Sequence, residues 1–336
     1  MAHTINPQIG VDVVPPIKFL SPGANVAGTA FVDGVLYAAT TGNCGGTVNG
    51  VWGLDLSNEA HTVNNWDAQG AAIAGTYGLA LSGTGTIYTA TGAGGSTYAN
   101  ALVALDRQTL KPTGWYKTTQ PFTTSPLAFE HKGKWIVAAG NVDGRVYLVD
   151  GAAPGGADHT TALYKSDAFT NPAGARGAAG ALATWLDDDN TRWVFATTGG
   201  NVLGAAGVPP GNGNVTNGAV VAFKLVDRNG VLALERAWVS HEIASPAPPL
   251  VINGVLFALS TGEFKEDPKM PAAERAKRSK PAALYALDAK TGKELWNSGA
   301  AITSFTHGIG PVGGDGTVLV ATYDGTLYAF SHPVDR

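Results

Sequence analysis

Seven polar side chains stand just upstream of short apolar runs, and they are the groups whose chemistry could matter. They are Asn25 in GANVAG, Tyr77 in GTYGLA, Thr124 and Ser125 in TTSPLA, Arg176 in ARGAAG, Ser245 in ASPAPP and His307 in FTHGIG. An imidazole such as His307 can take a hydroxyl proton, and a guanidinium such as Arg176 can hold a carboxylate through two parallel bonds. The other five offer hydrogen bonds to a ligand. Polar groups of this kind also satisfy one another and ordered water in a channel that needs polar filling, so a ligand site and a structural lining both fit the pattern. The remaining histidines are weaker candidates. His131 falls in a hairpin turn, His61 and His159 in outer loops, His3 and His332 near the ends, and His241 with Glu242 in a solvated connector.

No two histidines have helical metal-ligand spacing, and the lone Cys44 rules out both an intramolecular disulfide and a cysteine-rich metal site. LDDDN (186–190) has carboxylates without the spacing of a calcium loop and reads as a hairpin turn. No metal site is expected. TGAGGSTYA lacks the strand–loop–helix setting of a phosphate cradle, and neither a nucleophile elbow nor a paired-acid motif is present.

The elements that would position these groups repeat along the chain. Six apolar runs, GVLYAAT (34–40), GTIYTAT (85–91), KWIVAAG (134–140), RWVFATT (192–198), GVLFALS (254–260) and GTVLVAT (316–322), are each followed by a second: GVWGLDL, ALVALDR, GRVYLVD, GAVVAFK, AALYALD and GTLYAFS. An aromatic then closes each unit at Trp66, Trp115, Tyr164, Trp238 and Trp296, where packing between units is the expected role. Repeats of about 45 residues with several short strands are what a β-propeller blade requires, because one blade cannot bury both faces without neighbours. The reading is an all-β, six-bladed β-propeller of four-stranded antiparallel blades in one domain, 1–336. The blades span 23–70, 71–120, 121–167, 168–243, 244–299 and 300–336, the last completed by 9–22. In that closure PPIKFLSP supplies the outer strand of the last blade, with Phe19 as its aromatic, and removes a free sheet edge.

Inner strands of a propeller begin near the axis, so the seven polar residues line the mouth of a central channel. Two long connections share that face, 199–218 and 261–283; in the second, PAAERAKRSK after Pro271 predicts a short basic helix. Composition agrees with a turn-rich β protein: 45 Gly, 19 Pro, 44% hydrophobic and only 14% charged residues. A net charge of −4 without long single-sign runs gives a nucleic acid nothing to bind, and no apolar run is long enough to span a membrane. The low charge suits a periplasmic or extracellular protein, and the chain is expected to be such a protein or one part of a longer exported one.

LYALDAKTGKELW (284–296), GRVYLVD and DGTLYAF carry a family resemblance. They are similar to the repeat of the pyrroloquinoline quinone (PQQ)-type propellers, whose blades run apolar-Tyr-Ala-Leu-Asp-x-x-Thr-Gly-Lys-x-x-Trp. The resemblance implies the fold and leaves the activity open, since that family holds quinone-dependent alcohol and sugar dehydrogenases beside non-catalytic assembly scaffolds of the bacterial envelope. Large quinoprotein dehydrogenases have eight blades and pack the quinone against a disulfide of adjacent cysteines, which Cys44 alone cannot supply. Three functions follow. The first is a binding or scaffold module holding a small molecule or protein at the channel face. The second is a PQQ- and calcium-dependent dehydrogenase with His307 as base and Arg176 on the cofactor carboxylates, docking with another domain such as an electron carrier. The third is a hydrolase or lyase using the same mouth.

Overall fold

The computed structural model describes residues 1–6, 8–95, 97–171, 177–204, 215–265, 267 and 269–331. Among them the repeated runs form six antiparallel sheets in chain order, five of four strands and a sixth of three. Blade five shows how the sequence does this. Val255–Ser260 pairs with Ala283–Asp288, which pairs with Glu294–Asn297, and apolar residues alternate toward the two neighbouring blades. Asp288 turns the chain: its carboxylate accepts the backbone N–H groups of Lys290 and Thr291, and Gly292 takes the left-handed φ of 71° that follows. Asp55 with Ser57 and Asp106 with Thr109 repeat the device in blades one and two.

Each pair of successive blades closes over an apolar cluster. Tyr37 and Ile87 lie between blades one and two, Tyr88 and Val137 between two and three, Leu148 and Phe223 between three and four, Phe195 and Leu256 between four and five, and Leu284 and Val320 between five and six. Trp66 and Trp238 are buried there as expected, and Trp115 and Tyr164 pack against the clusters.

The last blade departs from the expectation. Its sheet is Val312–Gly314, Thr317–Ala321 and Leu327–Ser331, and residues 9–22 add no strand to it. They fold back on the N-terminus instead: Ala2 and Ile17 exchange backbone hydrogen bonds, Asn6 donates to Val11, and Val13 to Thr4. Two features explain this. Pro15 and Pro16 remove consecutive donors from any ladder, and the run from Phe19 to Val26 is shorter than the crossings Asp67–Leu79, Lys117–Leu127 and Val239–Leu250. No apolar cluster of the described residues joins blade six to blade one, and Phe31, Val312 and Leu327 are 63%, 60% and 62% exposed. Trp296 touches Phe330 edge-on, yet it is 44% exposed on this thinner side of the ring.

Candidate functional site

The connections that precede the inner strands do not line an open channel; those of blades two to six pack on one another. Thr124–Ser125 and Gly180–Ala181 form a short parallel pair. Thr76 donates its N–H to Gly180, and a Cβ on Gly75 would lie 1.8 Å from the Ser125 nitrogen, so only glycine fits there. A Cβ on Gly310 would meet the Pro248 carbonyl at 2.4 Å and the Tyr77 hydroxyl at 3.0 Å. The floor of this face is therefore closed by backbone.

That packing decides several of the candidate residues. Thr124 is fully buried, and its hydroxyl accepts the Gly140 N–H at 2.7 Å. The Ser125 hydroxyl accepts the N–H groups of Tyr77 at 2.8 Å and Gly78 at 3.0 Å. Both hold neighbouring backbone. Burial pushes the Tyr77 phenol up, and its oxygen accepts a backbone hydrogen bond from Gly310. Asn25 is exposed at the start of blade one, its carbonyl accepting from Thr41, and Arg176 lies outside the described residues. His241, expected in a solvated connector, has its Nε2 at ion-pair distance, 3.0 Å, from a Glu294 carboxylate oxygen and meets the Tyr285 ring.

Ser245 lines a cleft on this face, and His307 contacts the wall of that cleft through Glu263. The cleft, of about 500 Å³, opens between blades four and five, bounded by Asn217, Glu242, Ser245, Gly262–Lys265, Arg278 and Lys280. Its wall is the 261–282 connection, in which the basic segment forms the expected helix α1, Ala272–Arg278. The two ends of this insertion are tied together, since the Lys280 N–H donates to Gly262 at 2.8 Å and the Phe264 N–H to the Ser279 hydroxyl at 3.1 Å. The helix cations thereby return to the cleft rim.

At the base of that wall sits Glu263, whose side chain is 2% exposed. His307 Nδ1 is 2.6 Å from one carboxylate oxygen, Arg275 Nη1 3.5 Å from the same oxygen, and Lys265 Nζ 3.5 Å from the other. A carboxylate accepts, so the imidazole donates from Nδ1 and its Nε2 stays available. Thr306, next to His307, is buried, and its N–H bonds the Thr261 carbonyl, which fixes the histidine segment to the loop bearing Glu263. Sequence reasoning missed Glu263. The signal was the repeat position: the second strands run into Thr41-Gly42-Asn43, Thr91-Gly92-Ala93 and Thr198-Gly199-Gly200, and blade five alone puts an acid after Thr-Gly.

The residues present do not fit a PQQ–calcium centre on the axis. The inner connections pack backbone against backbone, and no group of three or more His, Cys, Asp or Glu side chains among the described residues could hold a metal.

The model of the outer membrane protein assembly factor BamB matches residues 280–333. No curated protein matches the chain in sequence. Among solved structures, BamB from Moraxella catarrhalis is 15% identical over 91% of this chain and 74% of its own, with a TM-score of 0.55. A quinohemoprotein alcohol dehydrogenase from Pseudomonas putida HK5 is 13% identical over 87% of this chain, with a TM-score of 0.52; the match spans 54% of that enzyme, about half its length. In fold this is a six-bladed β-propeller similar to these structures. BBS1N, solved in complex with ARL6DN, is similar as well, with a TM-score of 0.52, 12% identity and coverage of 96% of this chain and 81% of its own. At such identities the likeness concerns fold alone, and one fold carries binding proteins and enzymes alike. No helix of the described residues is long and apolar enough to cross a membrane.

Proposed function

We propose that this chain is a single-domain binding module in an exported setting, working through the face that carries the cleft between blades four and five. One observation carries the reading: a formed cleft lined by polar and apolar side chains opens on that face, walled by an insertion that carries a helix, while the axis beside it is closed by backbone. The match of residues 280–333 to an assembly factor of the outer membrane supports a scaffold in the bacterial envelope. The partner is a small molecule or a protein at this face. The test is a thermal-shift screen of metabolites on the intact chain and on Ala244→Trp, which fills the cleft from an exposed lining position. Ligands of the wild type should be lost in the variant; ligands that bind both forms equally would place the function elsewhere.

A second reading has its own support. A histidine hydrogen-bonded to a buried carboxylate, with Nε2 available, is the arrangement of a general base, which favours a hydrolase or lyase that needs no redox cofactor. Turnover of any ligand from the screen, lost in His307→Ala while binding persists, would establish it. Persistence of turnover in that variant would refute it.

A further inference from the structure

The charges of the cleft are unevenly committed, and this selects a class of ligand. Among the described residues two carboxylates line it, and both accept hydrogen bonds. Glu263 faces His307, Arg275 and Lys265. Glu242 accepts from Asn217 Nδ2 at 3.0 Å and from the Thr216 N–H and hydroxyl at 2.8 Å each, and these bonds hold its carboxyl down at about 2. Glu263 thus already faces cations, while the oxygens of Glu242 are taken up by neutral donors.

The cations are differently placed. Lys280 has no carboxylate within ion-pair distance among the described residues, although its backbone is pinned to Gly262 at the cleft wall. Gly262 makes that pinning possible: its φ is 70°, and a Cβ there would fall 2.0 Å from the Lys280 carbonyl oxygen. Arg278 bonds Glu274 through Nε alone at 3.2 Å, and its guanidinium lies 5.5 Å from the Phe264 ring centre. Its two terminal nitrogens thus stay available on a side chain already oriented. Two of the neutral donors are spent inside the protein, the Ser260 hydroxyl on the Ala244 carbonyl and that of Thr197 on Ala179. What remains is two cations and the Ser245 hydroxyl beside the apolar surfaces of Phe264, Pro246 and Pro281.

Resting on the reading of the cleft as a binding site, we propose that its ligand is a small organic acid. Lys280 and Arg278 hold the anionic group, and the apolar body lies against Phe264 and the two prolines. A cation would meet unpaired positive charge at Lys280 and Arg278, and a neutral polar molecule would use their N–H groups without the charge-assisted gain an anion draws from them.

Calorimetry on the full chain tests this with sodium 1-naphthoate, its neutral isostere 1-naphthamide, and inorganic phosphate. Naphthoate should bind at one site, and losing one charge-assisted contact in Lys280→Gln or Arg278→Gln should weaken it about 10-fold. Lys280→Arg should retain binding, and naphthamide should bind about 10-fold more weakly than naphthoate. Equal affinity for acid and amide, unchanged in Lys280→Gln, would overturn the anionic class. Phosphate binding as tightly as naphthoate would overturn the apolar body and leave a simple anion site. If none of the probes binds while screened ligands still disappear in Ala244→Trp, the class is wrong and the binding reading stands; if no ligand responds to Ala244→Trp, the binding reading itself falls.

Discussion

Glu263→Ala, set against Glu263→Gln, tests whether the centre of the cleft wall is an electrostatic cluster. The carboxylate is 2% exposed, while its partners His307, Lys265 and Arg275 are 58%, 47% and 26% exposed. The 2.6 Å bond to His307 is charge-assisted and contributes about 1.5–3 kcal/mol. The two ion pairs at 3.5 Å reach partly solvated cations and contribute about 0–1 kcal/mol each. Removing the carboxylate also ends its own desolvation, and none of the three partners is stranded away from water. The net loss for Ala should therefore be about 2 kcal/mol, below the roughly 3–5 kcal/mol of breaking a fully buried pair. Gln retains an acceptor for His307 and should lose about 1 kcal/mol. Urea unfolding followed by circular dichroism at neutral pH measures both. Equal losses for the two variants would show that charge, not the His307 bond, holds the cluster. A loss in Ala below about 0.5 kcal/mol, the range of ordinary surface substitutions, would refute the reasoning.

Three further substitutions probe the rim and the ring. Glu242 has its carboxyl depressed from 4.5 to about 2, chiefly by Asn217 and then Thr216, so its contribution is present above the ordinary value and lost as pH falls toward 2. Glu242→Gln should cost about 1 kcal/mol at neutral pH after allowance for solvent screening, and the gap to wild type should close between the two values in acid titrations; a gap independent of pH would show that the bonds survive without charge. Leu327→Lys, at a 62% exposed position, should change stability by less than about 0.5 kcal/mol, whereas Leu284→Ala in the buried cluster between blades five and six should cost about 2–5 kcal/mol. A core-sized loss at Leu327, read from the urea midpoint, would mean that a fourth strand covers the last blade after all.

The parts of the fold written into local sequence are those that repeat. Asp288 and Gly292 form a turn whose chemistry is complete within five consecutive positions, and the apolar runs alternate within single strands, so blades could be read without a partner in view. Ring closure differs because it needs residues near the two ends of the chain to meet, and Phe19 leaves no local trace of whether they do. The site suffered from a related ambiguity. Thr124 and Ser125 are polar and precede an inner strand, as His307 does, and nothing in a hydroxyl says whether its partner is a ligand or the backbone of the next blade. His307 was found for its chemistry, while Glu263, which orients it, was hidden because the two belong to different connections.

Departures from the repeat locate the site better than the repeat does. Equivalent positions along the ring act alike, in that they turn, pair and bury one face against a neighbour, which binds nothing new. Among the described residues blade five alone inserts an α-helix between its second and third strands, and it places an acid after its Thr-Gly pair. Those two departures meet at Glu263 and Arg275, and the connection to blade six brings His307 to the same point. An insertion that served only to lengthen a surface loop would not need its two ends tied at Gly262 and Lys280, nor a nearly inaccessible carboxylate holding its helix. The scaffold supplies rigidity through its buried clusters, and the irregular segment of one blade supplies the chemistry.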